Sequence, residues 1–160
     1  MPLVFAYGSN MDTTAMARRC PRSTPVGLAR LERHRLAIMR EGWLTVVRAP
    51  RGAVHGLLWD LALADLSALD RYEGLHAGLY AKVVQPVVTG AGAKRAIVYV
   101  GADAGPGVAK SDYLAAVLAA ARAAGLPAEG VAALEALGQG GSPEPAVRRP
   151  LPRAPLSTLD

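Results

Sequence analysis

Cysteine is nearly absent from this chain: Cys20 is the only one in 160 residues. A disulfide framework and a cysteine-rich zinc site are both excluded within one chain, and a reducing, cytoplasmic location is the expectation. Histidine is sparse as well. His34, His55 and His76 stand far apart, outside any ligand motif such as His-Glu-x-x-His, so no metal site is expected. Long apolar runs are missing, each being broken by charge, Gly or Pro well short of membrane-spanning length; no transmembrane helix and no membrane partner are expected. The N-terminus lacks the basic, apolar and small-residue regions of a signal peptide. No phosphate loop and no Gly-x-Ser-x-Gly elbow occurs, and the glycines around 101–107 lack the strand–helix context of a dinucleotide fingerprint. Aromatic residues amount to 5%, so the net charge of +5 comes without a stacking ladder. The arginines are scattered over several segments rather than gathered on one helix, which reads as a solvated surface, and no nucleic-acid partner is expected.

What remains is a chain 51% hydrophobic and 19% charged, the composition of a globular domain long enough to bury a core. Residues 3–7 read as a strand that breaks at Tyr7-Gly8-Ser9-Asn10. Asp12-Thr13-Thr14 can cap a short helix carrying Met16 and ending before Pro21. Residues 26–39 alternate as one long, bent strand; 44–47 is a short piece stopped by Pro50, and 54–61 is a further strand. At 62–72 the period changes. Leu63, Leu66 and Leu69 fall three apart with Asp65, Asp70 and Arg71 between them, an amphipathic helix with Gly74 placed as its stop. Residues 80–89 and 95–100 form a hairpin across Gly90-Ala91-Gly92. Residues 111–124 make the strongest helix, with Ser111 or Asp112 as N-cap and Gly125 as stop, followed by a shorter helix at 127–137. Its Leu/Ala face can meet either the core or a second copy, which leaves a homodimer open. From Gly138 the chain turns Gly- and Pro-rich, and residues 138–160 read as an extended tail.

A strand ending in Tyr7-Gly8-Ser9-Asn10 presents successive backbone N–H groups and small polar side chains at one point, a setting suited to an anion such as a carboxylate. Glu73 is the carboxylate to single out. In the last turn of the 62–72 helix it faces the negative end of the macrodipole, which raises its pKa, and partial burial pushes the same way. A raised glutamate suits a base that must later return its proton. Asp70, one turn earlier, can pair with Glu73, with Arg71 or with solvent. The tyrosines fall mostly at element ends or on strands, where several could converge as neutral hydrogen-bond donors.

Phe5-Ala6-Tyr7-Gly8-Ser9-Asn10-Met11, Gly56-x-x-Trp59, Leu69-Asp70-x-x-Glu73-Gly74 and Gly78-x-Tyr80 together resemble the gamma-glutamylcyclotransferase-like proteins, including the smaller gamma-glutamylamine cyclotransferases. The resemblance runs from about Leu3 to Leu137, a single domain, and leaves the Pro-rich tail outside. It implies an α+β fold, a small mixed β-barrel flanked by helices. It implies that Tyr7, Gly8, Ser9 and Asn10 hold a glutamyl α-carboxylate, largely through backbone N–H groups, and that Glu73 is the proton acceptor. Tyr80 and Tyr113 match pocket-lining positions, and Tyr99 is a further candidate of that kind. The implied reaction is attack of the glutamyl α-amine on its own γ-carbonyl, releasing 5-oxoproline and an amino acid or amine from a small-molecule γ-glutamyl substrate. Because the nucleophile belongs to the substrate, no cofactor, metal, serine or cysteine is required. A non-catalytic module binding a small carboxylate and a basic RNA-associated protein are the other classes the residues leave open.

Overall fold

Five strands and four helices account for most of residues 2–139, the part of the chain that the computed structural model describes. The strands are β1 (Leu3–Ala6), β2 (Thr24–Ile38), β3 (Leu44–Asp60), β4 (Tyr80–Thr89) and β5 (Gly92–Gly101); the helices are α1 (Thr13–Arg19), α2 (Leu63–Tyr72), α3 (Ser111–Ala124) and α4 (Ala128–Gly138). The strands close into a barrel in the order β1-β3-β2-β4-β5. β1 runs antiparallel to β3 from Leu3↔Asp60 to Ala6↔Leu57 and meets β5 in parallel at Val4↔Ile97, so the barrel is mixed and has no free edge at β1. The fold is the α+β barrel with flanking helices that the resemblance implies. Beyond Gln139 the expected tail lies outside the described residues.

Three local expectations are corrected. Pro50 does not stop a strand: β3 is continuous across it. The β2–β3 ladder jumps from Glu32↔Ala53 to His34↔Arg48, so the additional residues of β3 bulge out where the ladder is interrupted, and a proline without an N–H costs nothing there. On α2, Leu69 is fully buried but Leu63 is 70% exposed. The buried place on that face belongs to Asp65, which accepts hydrogen bonds from the Arg22 amide at 2.9 Å and the Ser23 hydroxyl at 2.8 Å. A charged side chain turns inward here because those donors satisfy it. At α3 the N-cap is Lys110, not Ser111 or Asp112, and no side chain caps the helix. Its apolar face, Leu114, Val117, Ala120 and Ala121, is buried in the core.

Glycine governs two close approaches that position the site. Residues 102–110 cross the end of β2 as a strap, with Gly105 against the Ile38 carbonyl, Gly107 against the Met39 carbonyl and Gly42 against the Val108 carbonyl. Asp103 Oδ1 ties the strap down by accepting from the Arg40 amide at 2.8 Å and the Gly105 amide at 2.9 Å. Deeper inside, Gly56 on β3 lies against the Ala6 carbonyl and the Phe5 ring, so that a Cβ there has no room. Gly56→Ala should therefore lower stability by about 1–3 kcal/mol through overpacking of the β1–β3 contact. A fall in the urea midpoint at unchanged slope is the expected measurement; an unchanged midpoint would mean that β1 and β3 part without cost.

Candidate active site

Just past β1 the backbone leaves the barrel at Gly8 and tightens into a 3-10 turn, Ser9–Met11. The Met11 amide reaches the Gly8 carbonyl at 3.0 Å and the Asp12 amide the Ser9 carbonyl at 3.2 Å. The earlier amides of such a turn, those of Gly8, Ser9 and Asn10, have no partner inside it. Asp12 then caps α1 as its sequence suggests, accepting from the Ala15 amide at 3.0 Å. From beneath, Trp59 Nε1 donates to the Asn10 carbonyl at 3.0 Å and fixes the turn to β3.

Glu73 arrives from the far end of α2. It is the C-cap, and Gly74 at φ +65 takes the left-handed step that ends the helix, with the Gly74 amide bonded to the Arg71 carbonyl and the Leu75 amide to the Asp70 carbonyl, both at 3.1 Å. This is a Schellman ending, and it aims Glu73 back toward the 7–10 loop. Asn10 Nδ2 donates to Glu73 Oε1 at 2.6 Å, and Glu73 Oε2 has no hydrogen-bond partner among the described residues. The Glu73 carboxyl is pushed up to about 7. Burial is the dominant cause, rather than the helix end emphasised from sequence; the Asn10 hydrogen bond and the Arg19 charge pull the other way without cancelling it. Asp70 does not pair with Glu73 or Arg71. Its two oxygens accept from the Tyr99 hydroxyl at 2.6 Å and from Lys82 Nζ at 2.8 Å.

Tyr7, Gly8, Ser9, Asn10, Glu73, Tyr80, Tyr99 and Tyr113 all line a single recess, joined by Phe5, Ala6 and Leu44. Burial pushes all four of these phenols above their ordinary range, so they are neutral at physiological pH. Their hydroxyls are committed differently. Tyr7 donates to the Tyr99 carbonyl at 2.5 Å, Tyr80 to the Leu44 carbonyl at 2.6 Å and Tyr99 to Asp70. Tyr113 instead accepts from the Leu44 amide at 3.2 Å, so among these four its proton alone remains for a ligand. Trp43 packs edge-on against the Tyr113 ring with centroids 5.0 Å apart and holds it over the recess.

Arg19 and Tyr72 are not among the site residues expected from the sequence, although Tyr72 is one of its five tyrosines. Arg19 Nη1 donates to Asn10 Oδ1 at 2.7 Å, its guanidinium carbon lies 3.6 Å from the centre of the Tyr72 ring, and the Tyr72 hydroxyl is 3.0 Å from Ser9 Oγ. Nothing in local spacing separates Arg19 from the exposed Arg18 beside it; the only signal is its place in the last turn of α1, next to the loop that it holds. Ser9 has no histidine partner and sits hydrogen-bonded to a phenol, an arrangement without a base for a nucleophile. Cys20 is buried with its thiol pushed up to about 11 by burial, which keeps it protonated. Among the described residues no His, Cys, Asp or Glu group of three could hold a metal, and no helix is long and apolar enough to cross a membrane.

Comparison with known proteins points to one family. The family model described as gamma-glutamyl cyclotransferase, AIG2-like, matches residues 4–115, a span that runs from within β1 to the start of α3 and contains every residue lining the recess. Gamma-glutamylcyclotransferase of Bos taurus is 32% identical over 97 residues, and that of Homo sapiens 30% over 97 residues. Each alignment covers 54% of this chain and 52% of the relative, so the chain spans about half the length of the curated relatives it matches. A solved structure of a Homo sapiens protein described as uncharacterized superposes with a TM-score of 0.77 at 27% identity, covering 84% of this chain and 86% of that one. A solved gamma-glutamyl cyclotransferase reaches a TM-score of 0.79 over 92% of both chains, at 24% identity a likeness of fold. With its motif loop, its helix-end glutamate and its barrel all inside the matched span, the chain belongs to the gamma-glutamyl cyclotransferase, AIG2-like family.

Proposed function

We propose that the protein is a γ-glutamyl cyclotransferase that releases 5-oxoproline and an amino acid or amine from a γ-glutamyl compound. The observation that carries this reading is Glu73, a half-buried carboxyl poised near neutrality whose Oε2 is open to the recess while Oε1 is held by Asn10. A γ-glutamyl α-ammonium cannot attack until it loses a proton. Glu73 accepts that proton at Oε2, the freed amine attacks the γ-carbonyl, the protonated Glu73 donates to the departing nitrogen as its C–N bond breaks, and the carboxylate so regenerated takes the second proton of the attacking nitrogen to leave the neutral five-membered lactam. The amides of Gly8, Ser9 and Asn10 receive the α-carboxylate, and Tyr7, Tyr80 and Tyr99 wall the head group. Tyr113 offers its uncommitted proton to a substrate oxygen. Holding amine and carbonyl in one closed chain conformation is a proximity effect, and intramolecular attack can draw on roughly 7–11 kcal/mol from that source.

Glu73→Gln tests the reading directly. Turnover on a panel of γ-glutamyl amino acids and amines, followed as released 5-oxoproline, should fall by about 10²–10⁴-fold while ligand binding persists. Full turnover in the variant would remove Glu73 from the reaction, and a parent protein that binds these compounds without forming lactam would be a carboxylate-binding module instead. For the parent enzyme, kcat/KM should rise with pH through about 7, since the base acts only when deprotonated; a profile flat from pH 5 to 8 contradicts the assignment.

The same shift has a stability consequence of opposite sign. A carboxyl raised from 4.5 in the unfolded chain to about 7 in the fold supports folding fully below 4.5 and loses that support as pH rises through 7. Glu73→Gln, which stays neutral, should therefore be more stable than the parent at pH 8 by roughly 3 kcal/mol, with the advantage vanishing below pH 4.5. Urea titrations of both proteins at the two pH values measure it.

A further inference from the structure

The geometry assigns Arg19 the part of a positioning residue: laid on the Tyr72 ring, its guanidinium locks the Asn10 amide so that the NH₂ faces Glu73 and one carboxylate oxygen stays open to the recess. An asparagine side chain presents a donor on one arm and an acceptor on the other, and a half-turn about its last bond exchanges them. Arginine has donors only. With Arg19 Nη1 at 2.7 Å from Oδ1, the acceptor arm must point to α1, and the donor arm is then left for Glu73 Oε1 at 2.6 Å. Two further contacts fix the frame around that amide. Trp59 holds the Asn10 carbonyl, and the Tyr72 ring, 3.6 Å beneath the Arg19 guanidinium, reaches on through its hydroxyl to Ser9. Asn10 is buried, so an amide with an unmatched arm would carry the full cost of a lost hydrogen bond.

This lock matters at the moment Glu73 holds a proton. In the flipped orientation Oδ1 would face the carboxyl and accept that proton's hydrogen bond, turning it away from the recess. Arg19 forbids the flip, so the proton resides on the side where a ligand nitrogen can take it. The consequence for turnover rests on the cyclotransferase reading; the orientation of the amide does not.

The groups that surround Glu73 leave Arg19 as the cation acting on it. Tyr7 on β1, Tyr80 on β4, Tyr99 on β5 and Tyr113 on α3 are neutral phenols, and on its own helix Tyr72 lies under Arg19. Asp70 is engaged by Lys82 and Tyr99. Arg19 both orients the hydrogen bond to Glu73 and stabilises its charged form.

The test reads Glu73 without any substrate. In ¹³C-glutamate-labelled protein, the Glu73 carboxyl is followed by NMR across pH 4–10 in the parent, Arg19→Leu, Arg19→Gln and Arg19→Lys. The uncharged variants should move the titration to higher pH by roughly one pH unit, and Arg19→Lys should return it most of the way. Should Arg19→Leu lose its fold by circular dichroism, Arg19→Gln decides alone. A Glu73 midpoint unchanged in the folded uncharged variant overturns the proposal. Where 5-oxoproline release is measurable, kcat should drop by about 10²-fold, with the acid limb of the pH profile moving up by the same interval as the NMR midpoint. A kcat that falls with no movement of that limb marks a merely structural role and also overturns it. Absence of lactam from the parent protein would sink the proposed function but leave the NMR result standing on its own.

Discussion

One hydrogen bond, 2.6 Å from Asn10 Nδ2 to Glu73 Oε1, joins two segments 63 residues apart, and the recess exists because both ends of that bond are where they are. Asn10 is placed by the break at the end of β1, Glu73 by the left-handed stop at Gly74. Neither segment lies inside a strand or an α-helix. Each is the first turn of chain after a regular element has ended, where backbone groups are left without partners. The loop contributes unpaired amides, and the helix end contributes a carboxyl with little water around it. The barrel holds the two at a fixed separation, and the strap at 102–110 carries α3 and Tyr113 across the remaining side.

Keeping a carboxyl at that place works against stability. Burial raises Glu73 more than the Asn10 amide and the Arg19 charge lower it, so at neutral pH the fold tolerates a group it only half wants ionised. The surrounding phenols do not relieve this, because three of the four pocket hydroxyls point their protons at protein acceptors. Such an unrelieved group is what a proton-transfer site requires, and on the same helix Asp65 and Asp70 are each satisfied by two donors. The contrast between these aspartates and Glu73 separates structure from chemistry more clearly than burial alone.

Local features of the site were legible in the residues themselves. The Tyr7-Gly8-Ser9-Asn10 break, the Asp12 cap, the presence of helix α2 and its stop at Gly74 depend on neighbours within a few positions, and each lies where its sequence signals put it. Features that depend on distant partners were not legible. Pro50 reads as a stop until β2 is placed opposite and the ladder is seen to be interrupted there. Asp65 reads as solvent-facing until Arg22 and Ser23 arrive beneath it. Arg19 is indistinguishable from Arg18 until α1 is docked beside Asn10 and Tyr72. In each instance the deciding interaction spans a separation in sequence that local pattern cannot report.

The parallel meeting of β1 with β5 has a bearing on how the chain folds. β2 with β3 and β4 with β5 are hairpins that form from near neighbours, whereas Tyr7 reaches the Tyr99 carbonyl across 92 residues. Loop-closure entropy makes that junction the most expensive in ordering, so it is favoured only after both hairpins exist to receive it. The 7–10 loop rides on β1. The unpaired amides of the loop and the Glu73 carboxyl are therefore brought together by the same event that closes the barrel, and a chain with its hairpins formed but its first strand undocked lacks the recess.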